Sequence, residues 1–301
     1  MKTLNIFVRL RMPLKELEKY YRDKRKSDYE SGKRPRYIKL REKFYVVFKT
    51  VLRIDRVFRK QKITILSEKR QRFKGQYIFA CTHIWENDLE NIYESLGRGC
   101  WWFVGDPGFM YKDISGLLLS INGCIFTDLP FREDCHIAYL RAIDLLKAGG
   151  SLMIFPEGAR NGTENLPVMK LFPGVARMSK ATNVKILPIA IEQYGKEYCI
   201  NYGNAIIPDE YGSEEELTST LRDQLATLKW KIWEEHGIYN RSEFTEKYRD
   251  SFNKEFEKKL QPYDTLETNL NARYKTKEDI EYTQVLKDIQ KLKNNLAKER
   301  E

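Results

Sequence analysis

The chain has no apolar run long enough to cross a bilayer: no window offers about 18 uncharged residues, so a spanning protein is not expected. The opening stretch MKTLNIFVRLRMPLKELEKYY has too short an apolar run and no small-residue cleavage site, which argues against a signal peptide. Cysteine is scarce and unpatterned. Cys81, Cys100, Cys124, Cys135 and Cys199 are odd in number, lack a CxxC pair and sit mostly in apolar contexts, which excludes a disulfide scaffold and suits a reducing cytosol. The three histidines are scattered and no cysteines cluster, so no metal site is expected. A phosphate cradle is also missing. GRGCWW lacks the third glycine of a dinucleotide fingerprint and no Gly-Lys-Ser/Thr occurs, which sets aside dinucleotide and P-loop chemistry.

What is present is enough for a core. With 301 residues, 42% of them hydrophobic and 13% aromatic, the chain can form one domain of roughly 200–250 residues plus extensions. Its net charge of +10 is concentrated: Pro13 to Lys62 holds 18 lysines and arginines against 7 acids. Within that segment Ile38, Phe44, Val47, Phe48, Val51, Leu52 and Val57 recur largely at three- and four-residue spacings, the pattern of a basic amphipathic helix. Three roles fit it: lying on an anionic membrane, packing on the domain with its charges solvated, or a nucleic-acid arm. The aromatic and aliphatic content disfavours the last.

From Lys62 short apolar runs alternate with helical patterns. Strands are expected over 76–82 (QYIFACT), 123–128 (GCIFTD), 151–154 (SLMI), 184–191 (VKILPIAI) and 198–207 (YCINYGNAII). Helices are expected over 86–97 and from Asp134, read as an N-cap, to Gly149. Ser213 with Glu216 is a capping box opening a helix striped by Leu217, Leu221, Leu225, Leu228 and Ile232, stopped by Gly237. The fold class is therefore α/β, a mostly parallel or mixed sheet flanked by helices. Three regions are expected: 1–61, a basic amphipathic membrane-docking segment; 62–237, the catalytic domain; 238–301, a charged helical extension.

His83 follows the first of these strands, and Asp88 falls five positions on, in the first turns of the next helix. Strand ends in an open α/β sheet expose side chains beside unpaired helix N–H groups. A carboxylate returning to an imidazole there fixes its tautomer and raises its basicity. Alone, the pair arises easily by chance. A second stretch, FPEGAR (155–160), places Glu157, Gly158 and Arg160 on the turn after another strand. By itself that is a turn with an ion pair.

Together the two stretches resemble the glycerolipid acyltransferase family, best known from the 1-acyl-glycerol-3-phosphate acyltransferases. His83 and Asp88 match its His-x4-Asp block; Phe155, Pro156, Glu157, Gly158 and Arg160 match its Phe-Pro-Glu-Gly-Thr-Arg block, with Ala159 for threonine. Gly123, Ile125 and Phe126 match a middle block, and Pro188 in ILPIAI a later one. The resemblance covers roughly residues 62–210 with all four blocks in order. It implies transfer of a fatty acyl group from an acyl thioester, acyl-CoA or acyl-carrier protein, to a lyso-lipid hydroxyl. His83 would be the general base, Asp88 its orienting partner; Glu157 and Gly158 would shape the acceptor pocket, and Arg160 would meet an anionic headgroup. No cofactor is implied.

Some positions depart from the family pattern. Thr82 stands where asparagine is frequent, Trp85 where a small polar residue is common, and Leu129 replaces the usual arginine, leaving Arg132 as a displaced substitute. Phe172 takes a lysine position, with Lys170 two residues early. Acyl transfer is thus better supported than any one acceptor, and a lyso-aminolipid or glycolipid stays open beside a lyso-phospholipid. Trp85, Trp101, Trp102 and Phe103 fit either an acyl channel or an ordinary core. An acceptor in the bilayer favours residues 36–59 as the docking element of a cytoplasmic protein, peripheral on the inner face of the membrane. Two rivals are a catalytically silent lipid-binding module and a nucleic-acid-binding protein. No nucleic-acid signature supports the second.

Overall fold

Ile78, Phe79, Ala80 and Cys81 are consecutive and all fully buried, so both faces of their strand are covered, as in a parallel sheet between helical layers. A computed structural model describes residues 4–237 apart from 5, 68–74, 85–86, 106–118, 120, 129–130, 159 and 162–165. The expected extension 238–301 lies outside the described residues, as do Trp85, Leu129 and Ala159.

Four helices come first: α1 (Ile6–Arg11), α2 (Leu14–Glu30), α3 (Ile38–Lys43) and α4 (Tyr45–Phe58). Then follow β1 (Lys62–Ile65), β2 (Tyr77–Cys81), α5 (Asp88–Leu96), β3 (Trp101–Gly105), β4 (Cys124–Thr127), α6 (Arg132–Lys147), β5 (Leu152–Ile154), α7 (Gly174–Thr182), β6 (Lys185–Tyr194), β7 (Glu197–Tyr202) and α8 (Glu214–His236). Among the described residues the strands form one seven-stranded sheet in the order β1-β7-β6-β2-β5-β3-β4. The five strands from β6 to β4 are parallel, β7 turns back antiparallel on β6, and β1 is parallel to β7. The sheet is therefore mixed.

Alternation of side chains divides the core in two. Ile78, Ala80, Leu152 and Ile186 meet α6, α7 and α8 through Ala142, Leu145, Val175, Met178, Leu221 and Leu225. Phe79, Cys81, Met153 and Ile189 meet α4 and α5 through Tyr45, Phe48, Ile92, Tyr93 and Leu96. Trp102 belongs to this second core, edge-on to Phe48 and Tyr93 at 5.5 and 4.9 Å. Trp101 is also buried. Both tryptophans are core aromatics. Gly123 permits this packing, because a Cβ there would lie 2.6 Å from the Trp101 ring.

The capping box forms as expected, with Glu216 N–H donating to Ser213 Oγ at 3.0 Å and Gly212 N–H to Glu216 Oε2 at 2.8 Å. The expected N-cap at Asp134 is displaced: α6 begins at Arg132. Asp134 lies inside its first turn, where its carboxylate accepts the Asp128 N–H at 2.7 Å and both arms of the Arg25 guanidinium at 2.8 Å.

That ion pair changes the picture of the N-terminal segment. Helix α2 lies on α6, and α4 lies on α5. Arg22, Arg25, Lys26 and Arg34 pair with Asp128, Asp134, Glu133 and Asp144. Three basic side chains of α2, Arg22, Arg25 and Lys26, are thus paired within the molecule, as is Arg34 beyond its end. Helix α4 differs. Tyr45 and Phe48 face inward, whereas Val46, Val47, Val51, Ile54, Val57 and Phe58 are 44–82% exposed on the opposite side. The single stripe read from the sequence is split, Phe48 facing the core and Val47, Val51 and Val57 facing out.

Candidate functional site

The site follows from strand register. β2 and β5 are parallel neighbours with Ala80 opposite Ile154, so continuing three residues past that pair places His83 opposite Glu157. The two motifs, far apart in sequence, become adjacent at the carboxyl edge of the sheet, where α/β folds present their functional groups.

His83 Nδ1 lies 3.0 Å from Asp88 Oδ2. The same oxygen accepts the Ile84 N–H. Asp88 opens α5 and is fully buried. A buried carboxylate on Nδ1 fixes the tautomer with its proton there and leaves Nε2 as the basic nitrogen. On its flat side the imidazole is stacked by Phe155, ring centroids 4.2 Å apart and planes 19° from parallel. Burial is the largest influence on His83 and lowers its pKa; Asp88 opposes this, and the charge of Arg160 adds to the lowering. The ring is thereby held neutral, the state a general base needs.

Glu157 is fully buried. Its Oε1 accepts the His83 N–H at 3.1 Å and its Oε2 the Met169 N–H at 2.8 Å. The sequence suggested an acceptor-pocket residue, but both oxygens are engaged by backbone donors, so this carboxylate ties the histidine turn to the loop before α7. Gly158 has a structural reason to be glycine twice over: its φ is +66°, and a Cβ would lie 2.4 Å from the Phe172 ring. Phe172 therefore packs on the turn. Arg160 is half-buried beside the dyad, and Lys170 follows Met169, also half-buried. Arg132 is not brought to the site. It is exposed at the start of α6, beyond β4, which is three strand spacings, roughly 14 Å, from β2.

Sequence reasoning missed Asn161. Its N–H donates to the His83 carbonyl at 2.7 Å and its Nδ2 to the Leu166 carbonyl at 2.9 Å, so it closes the turn from the other side. The signal was available, since Asn161 and Gly162 form a turn dipeptide directly after FPEGAR. The nearest thiol is no alternative nucleophile: Cys81 is completely buried and burial raises its pKa well above the ordinary value. Among the described residues no three His, Cys, Asp or Glu side chains converge as metal ligands.

Residues 60–192 match the family model described as Acyltransferase. A curated 1-acyl-sn-glycerol-3-phosphate acyltransferase from Borreliella burgdorferi is 29% identical over 124 residues, which are 36% of this chain and 48% of that protein. The chain thus matches about half the length of that relative. The crystal structure of the 1-acyl-sn-glycerophosphate (LPA) acyltransferase PlsC from Thermotoga maritima superimposes with a TM-score of 0.53 at 16% identity, covering 65% of this chain and 80% of that one. That likeness establishes the fold. Ordered motifs, the matched sequence region and the shared architecture point the same way: residues 60–192 are similar to the acyltransferase family.

Proposed function

We propose that this protein transfers a fatty acyl group from an acyl thioester, acyl-CoA or acyl-carrier protein, to the hydroxyl of a lyso-lipid. The observation that carries this reading is the 3.0 Å contact between His83 Nδ1 and buried Asp88, on a turn pinned to the FPEG loop. His83 Nε2 takes the proton from the acceptor hydroxyl as the oxygen attacks the thioester carbonyl. The tetrahedral intermediate collapses by breaking the carbon–sulfur bond, and the imidazolium returns the proton to the leaving thiolate. Asp88 stabilises the imidazolium while it exists. Arg160 supplies positive charge beside the base, suited to an anionic headgroup. A second reading of the acceptor has its own support: Phe172, in a place where the family carries lysine, packs on Gly158 and offers no charge there, which favours a headgroup without phosphate.

The test is thiol release from a long-chain acyl-CoA, repeated with acyl-carrier protein, across lyso-lipids with and without phosphate. Acceptor-dependent release is expected, and the most active acceptor names the headgroup class. Silence with both donors would sink the reading in favour of a lipid-binding module.

The acceptor resides in a bilayer, and among the described residues no helix is long and apolar enough to cross one. The outward face of α4 is proposed as the docking surface, with Lys49 and Arg53 flanking its apolar residues toward anionic headgroups. Deleting the helix would uncover Tyr93 and Trp102, so surface changes are the proper probe. Val47→Glu with Ile54→Glu alters two side chains that are 61% and 52% exposed. Losing their burial in the interface, at about 1.5 kcal/mol or more each, should lower partitioning onto phosphatidylglycerol-containing vesicles about 100-fold. The thermal midpoint of the soluble protein should stay put. Undiminished flotation would remove the docking assignment.

A further inference from the structure

Strand β2 ends two residues before His83, at Cys81, and its last bonds to β6 depart from a regular ladder. Cys81 pairs with Ile189. A parallel ladder continuing through this point would have the Thr82 carbonyl accept the Ile191 N–H, and the Ile84 N–H donate to the Ile191 carbonyl. Thr82 N–H does keep its place, donating to the Ile189 carbonyl at 3.0 Å. The next two bonds are replaced. Ile191 N–H donates to the Thr82 hydroxyl oxygen at 2.9 Å, and that hydroxyl donates back to the Ile191 carbonyl at 3.4 Å. Ile84 N–H turns away to Asp88.

The far side of the Ile191 peptide is held as well. Its carbonyl accepts from the Lys229 ammonium. Lys229 is fully buried and lies 3.3 Å from Glu192 Oε2, which also accepts the Trp233 indole N–H at 2.6 Å. Thr82 is only 1% exposed, so solvent cannot stand in for its hydroxyl, and a buried peptide group left without a partner is costly.

We infer that Thr82 is a positioning residue for His83: its hydroxyl substitutes for main-chain groups of β2 on the Ile191 peptide and frees the 83–84 backbone to turn. Once off the ladder, that backbone is captured by Glu157, Asn161 and Asp88, and the imidazole reaches its carboxylate. Without the hydroxyl, either Ile191 loses its partner or the strand runs on and draws His83 away from Asp88. The inference rests on His83 acting as the base.

The test compares Thr82→Val, which keeps the shape and loses the hydroxyl, with Thr82→Ser, which keeps the hydroxyl. Two quantities are read on the full chain: kcat and KM for acceptor-dependent thiol release, and the imidazole signals of His83 by NMR, assigned through His83→Ala. Thr82→Val is expected to lower kcat about 10- to 100-fold, as a misplacement near 1 Å does. Its KM should stay within about twofold, and its His83 signals should move. Thr82→Ser should recover most of the turnover. A purely structural role would lower the melting point and move neither quantity, and a folded Thr82→Val protein with unchanged kcat and His83 signals overturns the inference. Should the valine variant fail to fold, Thr82→Cys, a weaker hydrogen-bonding group, is judged by the same criteria. His83→Ala separates the two levels: retained turnover there refutes the proposed reaction itself, whereas an inactive His83→Ala beside a normal Thr82→Val refutes only the role of Thr82.

Discussion

Turnover of the His83→Ala protein is expected to fall by about 10²- to 10⁴-fold, the usual contribution of a positioned general base. The loss should appear in kcat if the ring acts as proposed, on a proton that moves only in the transition state. On the proposed mechanism the same residue sets the acid side of the pH profile. Burial lowers the His83 pKa from its ordinary 6.5, with Asp88 pulling the other way, so the acid-side inflection in kcat/KM of the wild type should lie below pH 6.5. Asp88→Asn removes the opposing influence, so its inflection should lie lower still, at reduced turnover. Stability follows the same sign. Between the folded and unfolded pKa values the unfolded chain binds more protons, so the contribution of neutral His83 is complete above pH 6.5 and is lost as pH falls toward the folded pKa. Wild-type turnover in His83→Ala would sink the assignment of the base.

Glu157→Ala should be the most damaging substitution to the fold of the site. It removes one buried carboxylate that satisfies two backbone donors, His83 N–H and Met169 N–H. Each unpaired buried donor costs about 1–3 kcal/mol, a large share of the ~5–15 kcal/mol that holds a domain together. For a domain of this size a loss of about 3–4 kcal/mol lowers Tm by about 10 °C. Activity should fall further than Tm implies, since the turn that carries the base loses one of its ties. Glu157→Gln should be milder, keeping an acceptor for one donor while setting its amide against the other. Calorimetry decides between this role and a surface turn: a Tm within about 2 °C of wild type would mean that Glu157 is not the crosspiece.

Strands 76–82, 123–128, 151–154 and 184–191 were legible because each is a short apolar run between polar or glycine-containing stretches, and helix α8 because its capping box and leucine spacing are both local signals. His83 and Asp88 were legible as a pair for the same reason, five residues apart across one turn. What depends on strand order was not. Nothing local places β5 beside β2, so Glu157 read as a pocket residue when register puts it under the histidine backbone. Arg132 looked available as a substitute cation because sequence proximity to the middle block says nothing about β4 lying at the far edge of the sheet. The apolar stripe of α4 was visible, but its division into two opposite faces depends on Tyr93 and Trp102, which arrive from later in the chain. Helix α2 was hidden by its charge, whose acidic partners Asp128, Glu133 and Asp134 lie just before α6 and in its first turn.

Those distant partners also set a timetable. Arg25 and Asp134 are 109 residues apart, and Lys62 and Glu197 are 135 apart. On a ribosome adding about 5–20 residues per second, α2 waits several seconds or more before its acids have been made. During that time the most basic part of the nascent chain has no counter-charge on α6 to close upon, and β1 waits longer still, because β7, with which it pairs, is the last strand of the sheet to be synthesised.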